Sequence, residues 1–165
     1  MNKDARLSDD RTYRYALWRI WDKSQPLIMF IGLNPSTADE EQDDPTIRRC
    51  VGFARSWGYG GLIMANLFAY RATIPKEMRE AHDPVGPEND WWLQSLSEEA
   101  AIVIGAWGNG GQFLDRGNIV IKTFRGMHCL KMTQLGQPAH PLYLRCSLRP
   151  ILMCQPGRGA RKGGT

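Results

Sequence analysis

The chain has 165 residues, a formal net charge of +4, 42% hydrophobic and 23% charged side chains, an ordinary globular composition that excludes a fibrous or wholly disordered protein. Its longest apolar runs, "LIMFIGL" and "AAIVIGAW", fall far short of the roughly 20 residues of a membrane span, and no charged-then-apolar leader opens it. One compact cytoplasmic domain is therefore expected.

Residues 13–21, "YRYALWRIW", alternate crudely between bulky and polar side chains, and "DKSQP" marks a turn before "LIMFIGL". The pair is expected to form a hairpin whose second strand is central, because that strand is apolar on both faces and so suits cover by helices on each side. A loop crowded with Asp39, Glu40, Glu41, Asp43 and Asp44 follows, and "DDPTIRRC" starts a helix with Asp44 as cap and Pro45 in its first position. Ile47, Val51 and Ala54 mark one face of that helix, and the glycines from Gly58 to Gly61 stop it.

"LIMANLF" reads as a second buried strand, and "AYRATIPKEM" as a polar connection with a short helix from Pro75. "WWLQSLSEEA" reads as a helix capped by Asn89 or Asp90. "AAIVIGAWG" is a third buried strand, "QFLDRGNIVIKTFRG" a helix, "MHCLKM" a fourth strand and "TQLGQPAHPLYL" a proline-marked loop. Strands alternating with helices predict an α/β fold, a three-layer α/β/α domain over residues 1–154 with a mostly parallel central sheet. Residues 155–165 are expected to be a basic, Gly-rich flexible tail.

In such sheets ligands bind beyond the carboxyl ends of the strands, where "GLNPST", "NLFAYRAT", "AWGNGG" and the "HPLY" loop are expected to converge. Pro35 stiffens the turn around Asn34, whose amide either bonds locally to the backbone or is held so as to orient a water or a base edge. Arg48 and Arg49 lie in the first helical turn, where the helix dipole disfavours cations; an anion contact there competes with a solvated basic face. For Arg71, phosphate contact and plain surface exposure are equally consistent. His140, flanked by Pro138 and Pro141, is either a surface histidine or a rigid donor to a developing anion. Phe68 and Tyr70 follow Asn66 and offer aromatic faces for stacking, whereas Trp91 and Trp92 are read as cover for the core. Cys50, Cys129, Cys146 and Cys154 have neither CxxC nor zinc spacing, so buried thiols are expected, with no metal or other cofactor.

Four of these segments, in order, resemble motifs of the uracil-DNA glycosylase superfamily: "GLNPST", "GLIMAN", "AIVIGAWG" and "HPLYL". The string "GLNPSTAD", "DDPTIRRC", "NLFAYRAT" and "HPLYL" resembles still more closely a family of small bacterial and phage proteins grouped as a domain of unknown function. The resemblance implies a cofactor-free, monofunctional DNA glycosylase that flips a nucleotide out of DNA and hydrolyses its N-glycosidic bond. Removal of a modified base from phage DNA, in genome defence or repair, is one specific case. It further implies that Asn34 orients the water, that Asn66 reads the base edge and that His140 faces the departing base or a flanking phosphate. For a carboxylate base, if one is used, the loop offers Asp39, Asp43 and Asp44, of which Asp43 and Asp44 are nearest the helix start, and Ser36, Arg48, Arg49 and Arg71 are the candidate phosphate contacts. Leu142 and Tyr143 stand where other members carry a Ser-rich continuation, and the four-cysteine cluster of the iron-sulfur branches is missing. The same residues also suit an enzyme that acts on a nucleotide or installs a base modification, and a noncatalytic binder of modified nucleic acid.

Overall fold

The computed structural model describes residues 1–153. Its strands are β1 (Asn2–Leu7), β2 (Arg14–Ile20), β3 (Leu27–Gly32), β4 (Gly61–Asn66), β5 (Ile102–Gly105), β6 (His128–Cys129) and β7 (Ile151–Leu152). Its helices are α1 (Pro45–Ser56), α2 (Pro75–Glu80), α3 (Asn89–Glu99) and α4 (Arg116–Thr123), with 3-10 turns at Asn109–Asp115 and Pro141–Tyr143. The strands form one sheet in the order β1-β2-β4-β3-β5-β6-β7.

Alternation along the two central strands divides their apolar side chains between two cores. Ile28, Phe30, Leu62 and Met64 pack on one face with Ile47, Cys50, Phe53 and Ala54 of α1. Met29, Ile31, Ile63 and Ala65 pack on the other with Leu93 and Leu96 of α3 and Val120 and Ile121 of α4. Helix α1 begins as expected: Asp44 Oδ1 accepts from the Ile47 N–H at 2.8 Å, and Pro45 occupies the first turn. Its buried stripe runs through Cys50 and Phe53, with Val51 only partly covered.

The α/β class holds, but the sheet is mixed. The block β4-β3-β5-β6 is parallel, whereas β1-β2, β2-β4 and β6-β7 are antiparallel. The expected hairpin does not form, because β4 lies between β2 and β3 and pairs with both. Glycine at position 60 makes the insertion possible: the N–H groups of Trp21 and Asp22 both bond to its carbonyl at 2.9 Å, and a Cβ there would lie 1.9 Å from Asp22 O. Polar β1 and the short, exposed β7 carried no strand signal, and "MHCLKM" contracts to a two-residue strand.

The helix expected over "QFLDRGNIVIKTFRG" is broken at Leu114 (φ 53°) and Asp115 (φ 55°), where the chain turns before α4 starts. Asn89 and Asp90 fall inside α3 instead of capping it; Glu88 holds the cap position without a side-chain bond. Cys50 and Cys129 are buried and Cys146 is exposed, so the buried-thiol expectation fails at Cys146, while Cys154 and the tail 155–165 lie outside the described residues. Among the described residues no helix is long and apolar enough to cross a membrane.

The acidic loop wraps a cation. Arg19 of β2 is fully buried, and its Nε donates to Asp43 Oδ1 at 2.7 Å. Its Nη2 donates to the carbonyls of Asp39 at 2.6 Å and Gln42 at 3.1 Å, and its Nη1 to that of Trp18 at 2.9 Å. Glu40 pairs with Arg11 instead, both partly exposed, through two bonds of 3.1 and 3.0 Å. Removing one partner of a buried pair strands the other charge, whereas an exposed pair contributes little. Asp43→Ala is therefore expected to lower unfolding free energy by about 3 kcal/mol, and Glu40→Ala by less than about 1 kcal/mol, as read from urea denaturation.

Candidate functional site

A cleft of about 270 Å³ opens at the carboxyl ends of β3 and β4. Gly32 lines it from the last position of β3, Asn34, Pro35 and Ser36 from the loop that follows, and Asn66 from the last position of β4. Asp44 reaches it from the head of α1, Ala72 and Thr73 from the loop before α2, His140 from the loop after β6, and Arg14 from the start of β2. The volume is near the lower end of small-ligand sites, which start at about 300 Å³. The strand order turns back beside it: β3 is followed in sequence by β4 on one side and then by β5 on the other.

The pairing of β3 with β4 continues past the strands through Leu67 N to Gly32 O (2.9 Å), Phe68 N to Leu33 O (3.0 Å) and Ala72 N to Pro35 O (2.9 Å). Asn34 is clamped within that continuation, its Nδ2 donating to Ala72 O at 2.8 Å and Pro35 O at 3.1 Å. Both amide hydrogens are thereby used, which orients the remaining group, the Oδ1 acceptor. The local-turn reading of Asn34 therefore holds, and the same two bonds fix the direction of its Oδ1.

Asn66 is 2% exposed, and among the described residues its Nδ2 has no acceptor. Leaving a buried donor unmatched costs about 1–3 kcal/mol, and such a group on a cleft wall suits an acceptor supplied by a ligand. Gly32 sits beside it in register, and a Cβ there would lie 2.9 Å from Asn66 Oδ1 and 2.8 Å from Met64 Cε, so only glycine lets the amide stand in this place. From behind, Asn89 Nδ2 donates to the carbonyls of Asn66 (2.9 Å) and Leu67 (3.1 Å), and Arg116 Nε donates to Leu67 O at 3.0 Å.

His140 is half-buried and accepts the Leu142 N–H on Nδ1 at 3.3 Å. An accepting Nδ1 assigns the ring proton to Nε2, so the neutral ring is a donor. Burial lowers its pKa from the ordinary 6.5, opposed by the nearby Asp44 carboxylate. Asp44 spends Oδ1 on the α1 cap and lines the cleft, whereas Asp43 is taken by Arg19 and Lys3 and does not.

Other expected contacts fall elsewhere. Phe68 is fully buried against Phe113, and Tyr70 meets Tyr13 edge-on outside the cleft, so neither offers a stacking face. Arg49 is not in the cleft lining; it bonds to the carbonyls of Pro141 and Leu144 and latches the histidine loop to α1. Arg48 is exposed, away from the cleft lining, and donates to Asp43 O at 3.2 Å; Arg71, also off the lining, donates to Arg11 O at 3.4 Å. Trp92 packs on the core, but Trp91 is 63% exposed and does not cover it. The "AWGNGG" segment supports the cleft from outside its lining: Gly108 N bonds to Pro138 O at 2.7 Å, just ahead of His140.

A family model described as "Protein of unknown function (DUF1643)" matches residues 14–142. The chain belongs to the DUF1643 family. That match begins at Arg14 and ends just past His140, so it contains every residue lining the cleft. No curated protein and no solved structure matches the chain.

One cleft residue of this DUF1643 protein had no sequence signal. Arg14 sits in "YRYALWRIW", whose alternation marks it as an outward-facing strand residue, yet it is 2% exposed and lines the cleft. Only the sheet order, with β1 and β4 on either side of β2, encloses it.

The histidine yields a prediction with a definite sign. A folded pKa below the unfolded value gives stability that is complete above pH 6.5 and is lost as pH falls through the folded pKa. NMR titration should therefore give a His140 midpoint below 6.5, and Asp44→Asn, which keeps a good helix cap but removes the charge, should lower it further.

Proposed function

We propose that this protein is a DNA glycosylase of uracil-DNA glycosylase type, hydrolysing the N-glycosidic bond of a flipped, modified base. The observation that carries the reading is that Asn34, Asn66 and His140, far apart in sequence, line one cleft with complementary hydrogen-bonding roles. The parallel block β4-β3-β5-β6, with the cleft at its carboxyl ends, supports the superfamily assignment.

Base departure leaves an oxocarbenium-like sugar and an anionic base, so catalysis calls for an oriented water on one side and a donor on the other. Asn34 Oδ1 accepts a hydrogen bond from the water and points its lone pair at C1′. Asn66 Nδ2 donates to a carbonyl of the base. His140 Nε2–H stabilises the charge that develops on the leaving base. Water adds its oxygen to C1′, the C1′–N bond breaks with its electron pair going to the base, and the water proton passes through Asp44 or solvent to the base. Asp44, beside the histidine in the same cleft, is the better-placed carboxylate, because Asp43 is engaged with Arg19. Ser36 is a candidate phosphate contact at the rim.

A second reading, an enzyme acting on a free nucleotide, is favoured by one observation: the cleft has a buried guanidinium in its wall. Incubating the protein with DNAs that differ in one base modification, and scoring abasic sites and released base by mass spectrometry, separates the two. Release of a free base is expected, and Asn34→Ala should slow it roughly 100-fold through loss of water positioning. Absence of any released base, together with binding no tighter than to plain duplex, overturns the reading.

A further inference from the structure

Arg14 is the one charged side chain of the cleft wall whose chemistry the hydrolysis above does not use. Nη1 donates to Ala38 O at 2.9 Å, and among the described residues Nε has no acceptor. Among the described residues Nη2 also makes no hydrogen bond, and no carboxylate is within ion-pair distance of the guanidinium. Buried cations are normally paired, since desolvating an unpaired charge is expensive. Burial lowers the Arg14 pKa to about 10, with Asp44 opposing and Arg71 and Arg19 reinforcing the drop, so the group still carries its charge at neutral pH. Asp44 forms no ion pair with Arg14; its field and that of Asp39 favour the charged guanidinium, and the cations Arg71 and Arg19 oppose them.

We infer that Arg14 forms an anion subsite in the cleft wall, which takes a phosphate or carboxylate group of the bound nucleotide through the guanidinium fork. A planar guanidinium with free donors matches two oxygens of such a group, and enclosure in protein strengthens the bond relative to water. The anion has two chemical sources, the phosphate of the nucleotide and an acidic substituent on its base. The subsite shares the cleft with the proposed hydrolysis and rests on that reading only for the ligand being a nucleotide.

Isothermal titration of the full chain with thymidine, thymidine 5′-monophosphate and 5-carboxy-2′-deoxyuridine at fixed ionic strength tests it. At least one anionic probe should bind roughly tenfold or more tightly than thymidine, as a charge-assisted hydrogen bond requires, and the preferred probe identifies the source of the anion. Arg14→Met should abolish the preference, and Arg14→Lys, which keeps charge without the fork, should retain part of it; the lysine variant decides if the methionine variant does not fold. Equal binding of all three probes by the wild-type protein, or a preference untouched by either substitution, overturns the inference. Binding is read without turnover, so a protein that discriminates the anions but neither releases a base nor binds modified DNA more tightly than plain duplex refutes the glycosylase reading alone.

Discussion

The structure depends on the solvation of buried guanidinium groups by the acidic loop between β3 and α1. Arg19 brings a full positive charge to zero exposure, and the chain answers with the Asp43 carboxylate and the carbonyls of Asp39, Gln42 and Trp18. Asp39 in turn is held by the N–H groups of Glu41 and Gln42, which lower its pKa and close the loop on itself. A loop bound in this way has little freedom, and its next residue, Asp44, is delivered to the head of α1 and the edge of the cleft. The carboxylate-rich stretch is thus an interior counter-charge first and a surface feature only at Glu40 and Glu41.

The cleft inherits that rigidity. Its floor is the extension of the β3 and β4 pairing beyond the strands, in which backbone bonds give way to the Asn34 clamp. Its back is braced by Asn89 and Arg116, two buried polar side chains that converge on Leu67 O and leave Asn66 free to present its side chain. His140, in its wall, is fixed by Pro141, by its own bond to Leu142 N, and by Arg49 bonding the carbonyls of Pro141 and Leu144 at the start and just past the end of the 3-10 turn. Side chains held in this way keep their dipoles in fixed directions when a ligand enters.

Local chemistry was legible wherever it depended on neighbours in the chain. The two-faced apolar runs identified β3, β4 and β5; Asp44 and Pro45 identified the start of α1; Pro75 identified α2. Asn34, Asn66 and His140 were recognisable because each ends or follows a buried strand, and strand ends gather at one edge of a sheet. The errors share a cause. Phe68, Tyr70 and Arg49 are the right residue types close to the cleft in sequence, but side-chain direction decides: a one-residue step along an extended chain turns Phe68 or Tyr70 to another face, and Arg49, on α1, points to the Pro141 and Leu144 carbonyls.

The sequence by itself determined the α/β class, the positions of the buried strands and the family, because burial periodicity and capping act over a few residues and the motifs are contiguous. Only the tertiary structure decided that β4 enters between β2 and β3, and with it the burial of Arg14 and Arg19. The order of strands is settled by non-local hydrogen bonding and by which faces need cover, so an arginine in an alternating segment reads as solvent-facing until its neighbours on both sides are known.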